Sequence, residues 1–364
     1  MTTTIQNVYL PLSNTPNQAF DVRFADTIEA VAPAGTDRRA GEVIDGEGRF
    51  LLPGLIDTHV HLGSRDTLQA AARAGVTTMV DLGTHPDQLI DQLRAEAGVA
   101  NFLSAGTAAS APGSTQIALM GFPAEGAVTG PGDAERYLAW RTAGGADLIK
   151  IIVEDPAATE VPALGVETIR ALVEGAHARG LVTVAHVVTA AAFERGLDAG
   201  VDILTHAPLD RPLPDDTVQR LLESGTVVSP TLVMMRVMAH ARLGDRAEAA
   251  IENATESVRK LLQAGVAVIA GTDANETPFA PVAHGSSLHD ELSFLQAAGM
   301  TATEALRAAT SHAASAVRLG DRGALDVGQR ADLMLLDADP TADLAAARIP
   351  NQIWIGGSAV ARAD

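Results

Sequence analysis

Compact runs of apolar, β-branched residues alternate with longer helical runs between Leu51 and Thr272, and this rhythm constrains the fold more than any other feature. The helical runs, such as VETIRALVEGAHARG, have the spacing of amphipathic helices and often end in Gly. Strands and helices that alternate in this way form parallel βα units, and eight units predict an α/β fold of the (β/α)8 TIM barrel class. The eight predicted strands are LLPGLIDT, VTTMVDL, NFLSAG, DLIKIIV, LVTVAHV, VDILTH, GTVVSP and GVAVIAGT.

The two ends of the chain depart from this pattern and are similar to each other. Both consist of short alternating segments broken by Pro, Gly and Asn, which are typical of strands and turns. Isolated strand pairs are only marginally stable in water, so we expect the two ends to pair. The sequence therefore predicts a small β-sandwich domain formed by residues 1–50 and 325–364, beside a barrel of residues 51–324.

Candidate metal ligands stand at the ends of several predicted strands. His59 and His61 lie two residues apart, and alternation along a strand directs both side chains to one side. His186 and His206 each end a predicted strand in the same way, and Asp273 follows the eighth. Because functional groups of a barrel come from the carboxyl ends of its strands, we expect these five side chains to converge on a metal.

Lys150 lies in the middle of DLIKIIV, a run so apolar that it predicts a fully buried strand. An unpaired ammonium group is costly to bury, so this lysine needs a partner or must lose its charge. The residues alone favour an ion pair with a buried acid. The alternative is that burial lowers the pKa of Lys150 until its neutral amine takes up CO2 and becomes a carbamate that bridges two metal ions.

The chain contains no Cys, which excludes disulfides, thiolate ligands and a cysteine nucleophile. Imidazole and carboxylate ligands favour Zn²⁺, with Mn²⁺, Co²⁺ and Ni²⁺ as alternatives. A metal ion held in this way lowers the pKa of its bound water to about 7 and polarises a carbonyl group. Asp273 is then either a ligand alone or also the general acid/base that passes a proton to the leaving amine.

The formal net charge of −19 disfavours nucleic acid and anionic membrane surfaces as partners. The sequence has no basic stretch followed by an apolar run at its start, and no uncharged run of about 18 apolar residues that would predict a membrane helix. We therefore expect a cytoplasmic protein that acts on a small molecule, with homo-oligomer formation left open.

Several motifs together resemble the amidohydrolase superfamily: PGLIDTHVH, the IKI lysine, the AHV and THA histidines, GTDAN, HGSSLHDEL and GQRADLMLLDADP. The resemblance extends from Leu51 to Pro340. It is closest to the imidazolonepropionase-like branch, which includes metal-dependent prolidases and related amide, carbamate and organophosphate hydrolases. It also implies a β-sandwich made from both termini.

The resemblance implies a binuclear metal centre. In such a centre one metal ion is held by His59, His61 and Asp273, the second by His186 and His206, and carboxylated Lys150 bridges them. Imidazolonepropionase itself is mononuclear and lacks the bridging lysine, so Lys150 favours the binuclear, prolidase-like arrangement.

Substrate residues are expected on the loops that follow the strands. Many relatives have a Gly-Gly-His element after the third strand, whereas this chain has the long loop 107–128, a candidate pocket wall or lid. A histidine or arginine on another loop is a further candidate, although such residues more often cap or pack. The candidates are His85, Ser114, Thr115, Arg236, His284 and His289.

Three functions are compatible with these residues. The first is hydrolysis of a C–N bond (amide, peptide-like or carbamate) of a small molecule by metal-hydroxide attack. The second is a mononuclear deaminase or a lactam or lactone hydrolase, in which Lys150 is only an ion-pair partner. A noncatalytic scaffold ranks last because all six candidate ligands are present.

Overall fold

The computed structural model describes residues 2–36, 41–158 and 160–361, which form an α/β structure. The strands are β1 (Thr3–Tyr9), β2 (Ala19–Phe24), β3 (Ile28–Pro33), β4 (Glu42–Asp45), β5 (Phe50–Pro53), β6 (Leu55–Val60), β7 (Val76–Asp81), β8 (Asn101–Ser104), β9 (Leu148–Ile152), β10 (Val182–His186), β11 (Ile203–Thr205), β12 (Val227–Ser229), β13 (Leu333–Leu336), β14 (Gln352–Ile355) and β15 (Ser358–Ala359). The helices are α1 (Arg65–Arg73), α2 (Asp87–Arg94), α3 (Thr115–Ala118), α4 (Ala134–Ala143), α5 (Val166–His177), α6 (Ala190–Asp198), α7 (Asp215–Ser224), α8 (Leu232–Leu243), α9 (Ala247–Ala264), α10 (Ser286–Ala298), α11 (Ala302–Ala308) and α12 (Ser311–Ala316). None of the described helices is long and apolar enough to cross a membrane.

Two parallel sheets form the centre of the molecule. One has the order β6-β7-β8 and the other the order β12-β11-β10-β9. Single bridges extend the second sheet at both edges: Ala109 pairs with Ile151 of β9, and Val268 pairs with Val228 of β12. Along the chain the strands of these sheets alternate with helices, as predicted.

The first predicted strand, LLPGLIDT, is two strands in the structure. Gly54 lies between β5 and β6, and a Cβ atom at this position would lie 2.2 Å from Thr77 Oγ1, so only glycine fits there. Its backbone N–H donates to Asp332 O at 2.8 Å. The first half thus pairs with β13 near the end of the chain, whereas the second half pairs with β7.

The eighth predicted strand, GVAVIAGT, forms isolated bridges and hydrogen bonds rather than a regular ladder in the described structure. Ile269 N donates to Val228 O at 2.9 Å, and Thr58 N donates to Ala270 O at 3.1 Å. Gly271 lies so close to its neighbours that a Cβ atom would be 2.5 Å from Ser229 Oγ. The eighth segment is rich in apolar residues, and its irregular backbone coincides with this close packing around Gly271.

Strands from both chain ends share one eight-stranded sheet of order β15-β14-β13-β5-β1-β2-β3, with β4 beside β1. β5 and β13 join the two ends in antiparallel register. The strands of this sheet form a separate apolar cluster, which includes Phe24 and Trp354. Their rings meet edge to face with centroids 5.7 Å apart. The pairing of the two ends follows the prediction, while the sandwich arrangement and the boundaries at residues 50 and 324 stay predictions.

Alternate residues of the central strands enter different apolar clusters. Ile149 and Ile151 pack in the large cluster that contains helix residues such as Leu172. Leu148 packs instead with residues such as Val184 in a second cluster between the strands. Because side chains two apart on a strand face the same way, this register directs Lys150 to the side of Leu148, away from the helices.

Candidate metal centre

Five of the six predicted ligands lie at the carboxyl ends of central strands or directly after them, and Lys150 lies in the middle of its strand. His59 and Lys150 are within β6 and β9, and His186 ends β10. His61, His206 and Asp273 follow β6, β11 and the eighth segment. Parallel strands end on the same side of a sheet, so residues far apart in sequence can approach one another there.

Asp273 lies beside both histidines of the HxH pair. Its Oδ1 atom is 3.0 Å from His61 Nε2 and 3.4 Å from His59 Nε2. One ligand atom from each of His59, His206 and Asp273 lies within 4.8 Å of the others, a spacing that suits a common metal ion. The rings of His186 and His206 continue the cluster, with centroids 4.5 Å apart.

Lys150 is 2% exposed, and its Nζ atom lies 3.5 Å from His59 Nε2. It donates a hydrogen bond to Thr205 Oγ1 at 3.1 Å. No carboxylate in the described ranges lies within ion-pair distance of Lys150, although the charges of Asp273 and Asp81 favour its protonated form. Burial lowers the pKa of Lys150 to about 7, which favours the neutral amine far more than in water.

Burial lowers the pKa values of three of the histidines and so favours their neutral form. Burial lowers the pKa of His186 to about 3, with the charge of Lys150 as a second cause. Burial first, and then neighbouring charges, hold the pKa values of His59 and His206 well below the usual range. A neutral imidazole offers a lone pair, as metal coordination requires. The buried Nδ1 atom of His59 also has no protein partner among the described residues, and this donor set fits a divalent metal ion.

The backbone is strained at two of these ligands. His206 has φ of 80° and Asp273 has φ of 59°, values in the left-handed region that residues other than glycine rarely adopt. Hydrogen bonds oppose this strain: His206 N donates to Ser229 O, and Asp273 N donates to His59 O, both at 2.8 Å. Strain of this kind is typical of functional sites, where the surroundings fix the geometry.

Asp57 lies beside the ligands and is bonded to backbone and hydroxyl groups. Its carboxylate accepts the backbone N–H groups of His59 and Thr272, at 3.2 and 3.0 Å, and the Thr272 hydroxyl at 2.7 Å. Burial raises its pKa to about 7 despite these bonds. Asp57 therefore ties β6 to the eighth segment and acts on the backbone that carries the ligands.

Two further residues that the sequence analysis did not single out contact the cluster directly. Thr205 accepts from Lys150, and Thr231 Oγ1 lies 2.8 Å from His206 Nδ1. One indication of Thr205 is present in the sequence, since this residue stands immediately before the predicted ligand His206. Thr231 lies 25 residues from its histidine and had no such signal.

The six substrate candidates separate into two groups. His284 Nε2 donates to His61 O at 3.0 Å. His85 packs on Phe122 with ring centroids 4.8 Å apart, and Phe122 and His61 both lie against Gly83. In the loop 107–128, Ser114 is buried and its Oγ atom has no partner among the described residues. Thr115 begins α3, so this loop is folded rather than a disordered insertion.

Arg236 and His289 contact groups other than the metal ligands. The Arg236 guanidinium lies 4.8 Å from the centroid of Phe294, beside a cavity of about 300 Å³ lined by residues of α8, α9 and α10. His289 Nε2 donates to Ala74 O at 2.8 Å, near the amino end of β7 and opposite the metal cluster. A substrate role for either residue stays a prediction.

Comparison with known proteins places these features in context. A model described as the amidohydrolase family matches residues 50–360. An imidazolonepropionase of Salinispora arenicola is 28% identical over 348 residues, covering 84% of this chain and 81% of the relative. Most of the chain, including all six candidate ligands, lies within the matched family region.

Solved structures are similar over nearly the whole chain. A Xaa-Pro dipeptidase crystallised with methionine in its active site has a TM-score of 0.85 at 21% identity, and the match covers 99% of both chains. A putative prolidase from Bifidobacterium longum has a TM-score of 0.83 at 25% identity, covering 99% of this chain and 95% of that one. The first likeness shows a common fold, and the second adds a relative of closer sequence.

Proposed function

Because this chain belongs to the amidohydrolase family, in its imidazolonepropionase- and prolidase-like branch, we propose that it is a metal-dependent hydrolase of small molecules. Enzymes of this type act on carbon–nitrogen bonds, and the bond proposed here is an amide, peptide-like or carbamate bond. The observation that carries the proposal is the convergence of neutral histidines, a buried lysine and an aspartate at one end of the central strands.

In the proposed centre His59, His61 and Asp273 hold one metal ion and His186 and His206 hold a second. Zn²⁺ is the favoured metal, with Mn²⁺, Co²⁺ and Ni²⁺ as alternatives. Carboxylated Lys150 is the proposed bridge. The Nζ lone pair adds to the carbon of CO2 and one proton leaves to solvent, which converts a buried amine without a carboxylate partner into an anion suited to metal ions.

When bound, the metal ions would lower the pKa of water and polarise the carbonyl group of the substrate. Asp273 is the proposed general acid/base, since its carboxylate lies within 3.4 Å of both HxH imidazoles and keeps 14% of its side chain exposed. It would take a proton at one carboxylate oxygen and deliver it to the leaving nitrogen. Thr205 and Thr231 would hold Lys150 and His206 in place.

The proposal extends to the architecture. We infer that the eight central segments close into a barrel, supported by the bridges of Val228 with Val268, Val60 with Ala274 and Ala109 with Ile151. Closure would place all six ligands around one mouth, and the sheet of the two chain ends would form a separate β-domain beside it.

A mononuclear enzyme is the second candidate, because His59, His206 and Asp273 form a three-residue group that suits a single ion. This form corresponds to a deaminase or a lactam or lactone hydrolase. Metal analysis of the purified protein separates the two: we expect two Zn²⁺ ions per chain, with turnover of amides or carbamates. One ion per chain would favour the second candidate, and no bound ion would exclude both.

An apolar wall beside the centre indicates a preference for substrates with an apolar group. Ala108, Phe122 and Ile152 form a small buried cluster. A Cβ atom on Gly83 would lie 2.7 Å from His61 Cε1 and 3.4 Å from Phe122 Cζ, so the phenyl ring and the imidazole flank the same narrow space.

Replacing Phe122 by Ala should reduce kcat/KM for N-acyl amides with aromatic or branched acyl groups about 10-fold or more relative to N-acetyl amides, because apolar contact is lost. The measurement is the ratio of the two kcat/KM values at full metal loading. Phe20→Ala, in the terminal sheet strand β2, is the matched control and should leave that ratio unchanged. Equal losses for both amide classes would contradict this substrate preference.

A further inference from the structure

Glu291 is a fully buried carboxylate outside the set of candidate ligands. Its two oxygens accept the backbone N–H groups of Leu232 at 3.0 Å and Val233 at 2.8 Å, the first residues of α8. It forms no ion pair within the described ranges, and burial raises its pKa to about 8. Burial of a carboxylate without a cation is unfavourable, so we expect Glu291 to have a specific role at this position.

The residue that precedes α8 is strained. Thr231 has φ of 46° and ψ of 49°, and a β-branched residue is strongly disfavoured in this left-handed region. Its side chain makes no capping hydrogen bond to the helix that follows. The two hydrogen bonds from the start of α8 to Glu291 fix the chain immediately after Thr231, and the threonine is held in a conformation that it would not adopt freely.

The same short segment holds His206 at two points. The Thr231 hydroxyl lies 2.8 Å from His206 Nδ1, and Ser229 O accepts the His206 backbone N–H at 2.8 Å. A hydroxyl oxygen that accepts from Nδ1–H leaves Nε2 as the free lone pair. The conformation of residues 229–231 therefore sets both the backbone and the ring orientation of His206.

We propose that Glu291 is a positioning residue of the metal centre, acting through Thr231 on His206. The carboxylate anchors the start of α8, the anchored helix keeps Thr231 left-handed, and the Thr231 hydroxyl fixes the direction of the imidazole through its hydrogen bond with Nδ1. The inference rests on the proposed function to the extent that His206 is a ligand. Glu291 and Thr231 touch neither substrate nor metal in this role.

The test measures Zn²⁺ affinity of the full chain by competition with a chromophoric chelator. In Glu291→Gln the amide keeps the size of the side chain, but its NH2 group opposes one of the two backbone N–H donors. We expect the Zn²⁺ dissociation constant to rise about 10- to 100-fold, the usual loss when a partner behind a ligand is removed. Glu304→Gln is the matched control, because that carboxylate caps α11 in a comparable way and should leave the affinity unchanged.

Thr231 variants separate positioning from folding. Thr231→Gly removes the hydroxyl but suits a left-handed backbone, so Tm should be preserved while Zn²⁺ affinity falls. Thr231→Ser keeps the hydroxyl and should restore an affinity close to that of the wild type. If Thr231 has a purely structural role, Thr231→Gly should leave Zn²⁺ affinity unchanged, because the variant then only relieves backbone strain.

The double variant Glu291→Gln, Thr231→Gly gives the decisive comparison. Residues that act on one ligand in series should show a combined loss of affinity clearly smaller than the product of the two single losses. Multiplicative losses, or wild-type affinity in both single variants, would overturn the inference while the proposed function stands. Failure of the wild-type chain to bind Zn²⁺ would instead overturn the proposed function, and this inference with it.

Discussion

Asp273→Asn is expected to retain its metal ions but to lose about 10²- to 10⁴-fold in kcat, the usual contribution of a general acid/base. Asparagine keeps the shape of the side chain and an oxygen that can face His61, now 3.0 Å from the carboxylate. It cannot take up a proton at neutral pH. Metal content by elemental analysis and kcat for an amide substrate, measured on the same preparation, test the two halves of this expectation.

The matched control is Asp202→Asn, at the opposite end of the central strands. Asp202 accepts hydrogen bonds from the backbone and hydroxyl of Thr183 and contacts His177 at 2.8 Å, so the same chemical change is made in a hydrogen-bonded carboxylate remote from the ligands. Its kcat should match the wild type. Undiminished turnover in Asp273→Asn would remove the proton-transfer role, whereas loss of metal would show that the carboxylate is needed mainly as a ligand.

The placement of the candidate ligands could be predicted from sequence because it follows from the periodicity of strands and helices. A buried strand ending in a histidine places that side chain at the mouth of a βα unit whatever the details of the loops, so His186 and His206 required no tertiary information. The same argument placed Lys150 inside the strands, since its neighbours on either side are apolar.

Features that depend on contacts between distant segments were not predictable in this way. Gly54 lies where the first predicted strand divides, and Thr77 occupies the space that a side chain would need there. The residues LLPGLIDT alone do not predict this contact with Thr77. Glu291 accepts from Leu232 across 59 residues of sequence, and within α10 it is one acidic residue in an amphipathic pattern. The contacts of Arg236 with Phe294 and of His289 with Ala74 could not be predicted for the same reason, because these partners lie on other elements.

Lys150 offers the second large effect. The chain has two lysines, Lys150 and Lys260, so carboxylation of a lysine can be detected with little background. After equilibration with ¹³C-labelled CO2, the wild-type protein should give a slowly exchanging carbamate signal by NMR. We expect Lys150→Met to lose that signal, to bind one metal ion instead of two, and to lose on the order of 10²-fold in kcat as the second ion's charge stabilisation disappears.

Methionine is the appropriate replacement because it fills the volume of the lysine side chain without a charge. Lys150 is buried and has no carboxylate partner in the described structure, so an apolar substitute should keep or raise the melting temperature. Lys260→Met is the control, since Lys260 is partly exposed and pairs with Asp215 on the outside of the molecule. A carbamate signal that persists in Lys150→Met but disappears in Lys260→Met, or two metal ions in Lys150→Met, would contradict the bridging role.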